Sequence, residues 1–150
     1  MHLHEPIAYN CPFCGIVAGA EEPRTVVWRD ATSIAFLALH QHPRNAGALL
    51  LCPVQHFENI YVLPEQIGAQ LFGATKRLAT ALKVALACDG VSTRQHNEPA
   101  GNQDVWHYHV HIVPRFKDDN FYSERGVVMP VEQRIAYAEA IRRALAQDAL

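Results

Sequence analysis

Residues 105–115, VWHYHVHIVPR, set His107, His109 and His111 at every second position, with Trp106, Tyr108, Val110 and Ile112 between them. Two is the period of a β-strand. The segment therefore predicts a strand with three imidazoles on one side, about 6.6–7 Å per step, and an apolar side turned to a core. No other stretch restricts the fold as much, because this one demands a sheet covered on one face. The row also resists a packing explanation, since each buried neutral imidazole needs partners for two ring nitrogens. It fits metal ligation, acid–base work or nucleophilic attack, and the spacing does not choose among them.

Around this strand the pattern is that of an α+β chain. RTVVWRD (24–30) and TSIAFLAL (32–39) read as two strands joined by a polar turn at Asp30 and Ala31, and GALLLCP (47–53) as a strand covered on both faces. From Pro64 to about Ala87, apolar residues at 67, 71, 78 and 82 predict a long amphipathic helix closed by Cys88-Asp89-Gly90. VSTRQHN (91–97) reads as one more strand. Residues 116–128 read as a long loop of the kind that often carries function. A C-terminal helix is expected over about 130–148, with Pro130 and Glu132 in its first turn and Ile135, Ala138, Ile141 and Leu145 at helical spacing. The chain has 150 residues, 49% of them apolar, and no repeat or linker divides it, so one domain over 1–150 is expected.

Charge excludes some partners. Thirteen basic against fifteen acidic residues leave a net of -2, without the basic stripe that a nucleic acid polymer or an anionic membrane needs. A small-molecule nucleotide remains a suitable ligand. The N-terminal MHLHEPIAYN has no basic start followed by an apolar run, and no stretch approaches the roughly 18 apolar residues of a membrane span, so a soluble, cytoplasmic chain is expected. His2, His4 and His96 receive no role. Cys52 and Cys88 read as buried, whereas Cys11-x-x-Cys14 reads as a metal site or a redox pair. With His56 and one member of the histidine row, the pair makes a closed Cys2His2 zinc site that would pin the N-terminal segment to the sheet.

These residues resemble the histidine-triad (HIT) superfamily, whose signature is His-φ-His-φ-His-φ-φ with φ apolar. Here it stands as His107-Tyr108-His109-Val110-His111-Ile112-Val113, followed by Pro114-Arg115. Asn97 and GNQDVWH (101–107) are similar to that family's asparagine and its Gly-x-Gln approach. GALLLCPVQH (47–56) is similar to its strand ending in Pro-x-x-His, and CPFCGIVAG (11–19) to the opening of the zinc-containing bacterial-type members. The resemblance covers about residues 11–115. It implies a five-stranded antiparallel sheet with a long helix and a C-terminal helix, paired as a homodimer.

The chemistry it implies is attack by His109 on the α-phosphate of a dinucleoside polyphosphate or nucleoside phosphoramidate. A covalent nucleotidyl-histidine would form, and water or another acceptor would open it. A neutral imidazole suits that role near pH 7 if one nitrogen donates a hydrogen bond and the other faces phosphorus. The resemblance further implies that His111 contacts the phosphate and assists the leaving group. It makes Cys11, Cys14, His56 and His107 the ligands of a structural zinc, and Asn97, Gln103 and Asp104 substrate contacts.

Two positions depart from the pattern. Asp104 stands where many members carry a hydroxyl, and a carboxylate there repels an anion unless it is protonated, metal-bound or turned away. Ala38 stands near the place of a ribose-binding acid, for which His40, His42, Arg44 or Asn45 are candidate substitutes. Phe13, Ile16 and Leu39 match the base pocket but equally suit the core, and Arg115 and Lys117 read as a solvated pair or a polyphosphate screen. Two other readings compete: a zinc hydrolase with an open metal on the His-x-His strand, and a non-catalytic nucleotide-binding module.

Overall fold

The computed structural model describes residues 3–147, so His2 and the expected last residue of the C-terminal helix lie outside the described residues. The chain runs α1 (Pro12–Val17), β1 (Val26–Arg29), β2 (Ser33–Leu37), β3 (His40–Gln41), β4 (Leu49–Pro53), α2 (Glu65–Leu86), β5 (Gly90–Gln95), β6 (Val110–Arg115), β7 (Val127–Val128) and α3 (Val131–Gln147). It is α+β, with a five-stranded antiparallel sheet in the order β1-β2-β4-β6-β5.

Local chemistry explains the elements. Asp30 Oδ1 accepts from the Thr32 and Ser33 amides at 2.8 and 2.7 Å, which closes the β1–β2 turn. Leu71, Ala74, Leu78, Ala81 and Leu82 form the buried stripe of α2. That helix ends at Leu86 with Ala87 as its C-cap, as the Cys-Asp-Gly signal just beyond it predicts. Ala87 takes a left-handed φ of 49°, and Lys83 Nζ donates to the Cys88 and Asp89 carbonyls. In α3 the buried positions are Ile135, Ala138, Ile141 and Ala144. The Arg142 guanidinium on this helix donates to the Arg24 and Val26 carbonyls.

Both helices cover one side of the sheet, packing on Ala35, Leu37, Leu49, Leu51 and Ile112. Cys11 and Phe13, at the start of α1, pack on Ile34, Phe36 and Cys52 from the other side, so β4 is covered on both faces as its composition suggests. No described helix is long and apolar enough to cross a membrane.

Two features correct the sequence reading. The histidine strand starts at Val110, not Trp106, so His107 and His109 lie on a bent lead-in and His111 alone of the three is in the ladder. The β4–β6 ladder reaches Leu51–Val110, and two residues on stands Pro53, which has no N–H to offer. The Tyr108 amide turns instead to the Phe57 carbonyl at 2.6 Å.

The second correction is a two-stranded ribbon, β3 with β7, at one end of the presumed loop. Asp119 holds the rest of that loop. Its carboxylate accepts from Arg115, from Asn45 Nδ2 at 2.6 Å, and from the Phe116 and Phe121 amides.

Candidate functional site

The bend before β6 lets the three histidines face different surroundings. Cys11 caps the N-terminus of α1, Cys14 lies on it, His56 follows β4, and the His107 side chain reaches back between them. The four donor atoms all lie within 4.8 Å of one another. Cys11 Sγ and Cys14 Sγ stand 3.4 and 3.7 Å from His107 Nδ1, and Cys14 Sγ stands 3.3 Å from His56 Nδ1. Tetrahedral zinc with ordinary bond lengths needs ligand–ligand edges of about 3.3–3.8 Å, which these three separations meet, and the remaining donor pairs, at up to 4.8 Å, would close slightly around that ion.

The opposite nitrogens of both histidines are tied down. His107 Nε2 donates to the Pro53 carbonyl at 2.9 Å, and His56 Nε2 donates to Glu5 Oε2 at 2.7 Å. Each bond leaves Nδ1 with its lone pair toward the cysteines. Burial pushes His107 down to about 4, so that lone pair is unprotonated at neutral pH. Burial and then Cys11 push the Cys14 thiol up to about 11, and a dication is what makes thiolates there favourable.

His109 is held differently. Its Nδ1–H donates to the His107 backbone carbonyl at 2.7 Å, which leaves the lone pair on Nε2. Burial pushes its pKa below the usual histidine value. Phe13 meets it edge-on at 5.0 Å between ring centroids, and His111 lies 5.0 Å away on the next turn of the row. Burial, and after it His109, His96 and Arg94, push His111 down to about 4.

The family model for the HIT domain matches residues 19–118. The chain belongs to the HIT family. Among relatives, Protein hit of Bacillus subtilis is 36% identical over 115 residues, which is 76% of this chain and 77% of that protein. A zinc-bound histidine triad family protein of Mycobacterium smegmatis superposes with a TM-score of 0.80 at 28% identity, over 93% of this chain and 96% of that one. A hypothetical histidine triad nucleotide-binding protein of Sulfolobus tokodaii gives 0.80 at 26% identity, over 91% and 93%.

Other expected site residues of this HIT chain are variously occupied. Gln103 is buried, its Nε2 donating to the Glu58 and Val105 carbonyls and its Oε1 accepting from the Glu98 amide. These bonds shape the 98–105 turn. Asn97 Oδ1 accepts from the Ile60 amide and Gln95 Nε2, while its own Nδ2 donates to Gln95 Oε1 and keeps one N–H over. Asp104 is exposed, and its charge works against the burial effect at His109 and His111. Ala38 is buried, and neither Arg44 nor Asn45 replaces an acid beside it: Arg44 pairs with Glu124 and Asn45 donates to Asp119. Leu39 is exposed, whereas Phe13 is core.

Arg115 is not a merely solvated cation. It forks onto Asp119 at 2.7 and 2.9 Å and donates to Ser92 Oγ. Three contributors escaped the sequence reading: Glu5 on His56, His96 against His111, and the paired carbonyls of Pro53 and His107 that set the tautomers. Glu5 stands three residues from His2 and nine from Cys14 in a stretch without any periodic pattern, so nothing local marks it.

Proposed function

We propose that this HIT protein is a nucleotide hydrolase or nucleotidyl transferase in which His109 Nε2 attacks the α-phosphate of a small-molecule nucleotide. The observation that carries the reading is the 2.7 Å bond from His109 Nδ1–H to the His107 carbonyl. It selects the tautomer whose lone pair is free for phosphorus, and the lowered pKa keeps that lone pair available at neutral pH.

The step balances simply. An N–P bond forms, the bond from phosphorus to the leaving group breaks, and its electron pair departs with that group. The positive charge gained by the ring is shared through Nδ1–H with the His107 carbonyl. Water or another acceptor then attacks phosphorus and gives up a proton to His111, from which it passes to solvent, the N–P bond breaks, and the imidazole returns neutral. His111, neutral near pH 7, serves as an N–H donor to the phosphate oxygens, and an approaching dianion raises its affinity for a proton that the leaving atom can take.

Cys11, Cys14, His56 and His107 would hold zinc as a closed site that fixes α1 and the lead-in to β6. His109 is outside that donor set, which favours a structural ion over a catalytic one. A homodimer belongs to the same reading, and the exposed Phe72 on α2 offers it apolar surface. Light scattering at the monomer mass would remove that part.

The deciding experiment is intact mass of the protein quenched during turnover of diadenosine triphosphate or adenosine phosphoramidate. A nucleotidyl adduct on the unmodified chain, absent from His109→Ala, supports the reading. Turnover that survives His109→Ala sinks it.

A further inference from the structure

His111 has a cationic neighbour without a counter-charge. Arg94 on β5 is the register partner of His111 on β6, so the two side chains share one side of the sheet. Two residues along the same side, His96 stands edge-on to His111 with centroids 5.6 Å apart at 87°. Its Nδ1–H donates to the Gly101 carbonyl, which frees Nε2.

The Arg94 guanidinium lies 5.4 Å from the centre of the Phe121 ring and makes no hydrogen bond or ion pair among the described residues. Its neighbours differ. Arg115, on the same ring at 4.6 Å, is neutralised by Asp119, and Arg44 pairs with Glu124 at 3.4 Å. His42, tilted against Phe121 with ring centroids 4.3 Å apart, is kept toward its neutral form first by burial and next by Arg94.

Arg94 is exposed, and apart from its contact with Phe121 this cation meets no acid; it stands beside two partly buried imidazoles, whose protonation it opposes. It suits an anion that arrives from outside. Phe121 stiffens the long side chain, so less rotamer freedom is lost when the flat fork meets phosphate oxygens.

We propose that Arg94, backed by Phe121 and joined by His96, forms a second anion subsite for the phosphate next to the one His109 attacks. The inference rests on the reading of His109 above and narrows its substrate class. Nucleoside diphosphates and dinucleoside polyphosphates are favoured over phosphoramidates. In the former, the bridging Pα–O bond breaks and its electron pair adds negative charge to the neighbouring phosphate, on which Arg94 bears. A departing amine takes a proton and leaves no anion there, so Arg94 assists the phosphoanhydride reaction selectively.

The test uses Arg94→Met, which keeps an apolar stem against Phe121, and Arg94→Lys, which keeps the charge. Calorimetric titration with ADP and AMP is expected to show ADP bound about 10–100-fold tighter by the unmodified protein, the worth of a hydrogen-bonded charge pair. The ratio should collapse toward one in Arg94→Met and survive in part in Arg94→Lys. The ratio of kcat/KM for diadenosine triphosphate over adenosine phosphoramidate should fall by a similar factor in Arg94→Met. An ADP-to-AMP ratio that Arg94→Met leaves untouched, or equal losses on both substrates, overturns the subsite. The binding ratio is read without turnover, so a missing His109 adduct sinks the chemistry above while the subsite is still judged. Failure of both nucleotides to bind sinks both.

Discussion

The carbonyl of His107 accepts the Nδ1–H of His109 at 2.7 Å, while the side chain of the same His107 reaches two cysteines. One residue thus links the cysteine cluster to His109, and whatever fixes its backbone orients the imidazole proposed as nucleophile. A zinc ion held by its imidazole would stabilise the lead-in that orients His109, and in the proposed reaction it would take no part in bond making.

His109→Ala should cost at least about 10³-fold in turnover, because the proposed covalent mechanism would lose its nucleophile and keep binding and electrostatics alone. Zinc content by elemental analysis should match the unmodified protein. Loss of metal in this variant would instead place His109 among the ligands.

Cys14→Ser should release zinc and lower the melting temperature, since one soft donor of four is lost and the Cys11, His56 and His107 donors are left facing one another. Differential scanning calorimetry with and without added zinc checks this. Equal metal content and melting behaviour in the two proteins would remove the Cys2His2 assignment.

Glu5→Gln should weaken zinc retention about 10–100-fold, the usual effect of losing the acid that orients a ligating imidazole. Competition against a chromophoric chelator measures it. An unchanged exchange curve would mean that the Glu5–His56 pair contributes nothing to the metal.

Asp119→Asn tests the hub of the 116–126 segment. The forked Arg115 guanidinium holds the Asp119 carboxyl well below the usual carboxylate range, so its folded-state pKa is depressed relative to the unfolded chain. The stability it supplies is therefore present above about pH 4 and is lost as pH falls below that, when the unfolded chain takes the proton first. The melting-temperature gap between the unmodified protein and Asp119→Asn should be full at pH 7 and narrow progressively below pH 4. A gap independent of pH would show that the ion pair is not what holds the loop.

His111 gives a second window of the same sign. Its pKa falls from about 6.5 in the unfolded chain to about 4 in the fold, so the unfolded chain binds more protons between those values and stability drops as pH is lowered through them. The His111 ring protons, followed by NMR, should stay in their neutral position down to pH 5.5. A midpoint near 6.5 would contradict its burial.

Much of the architecture was readable from spacing because it is local. The stripe over Ile67, Leu71, Leu78 and Leu82 announced α2, and Asp30 marked the β1–β2 turn. The alternating histidines announced β6, but four residues early, because where a ladder stops depends on the partner strand and its Pro53. Composition likewise kept Cys52 and Cys88 in the interior.

What the amino-acid order determined by itself was therefore the set of elements, the family motif, and the residue types available for metal and phosphorus. Tertiary structure decided which nitrogen of His107 and of His56 is free, through a carbonyl and a carboxylate supplied from elsewhere in the chain, whereas His109 takes its tautomer from the His107 carbonyl two residues back. Pro53 reaches His107 across 54 residues and Glu5 reaches His56 across 51, while Asn45 meets Asp119 across 74. No periodic pattern can encode such contacts, because a helix or strand repeat relates residues a few positions apart. The lone charge of Arg94 has the same origin: a guanidinium is free or paired according to what folding leaves beside it.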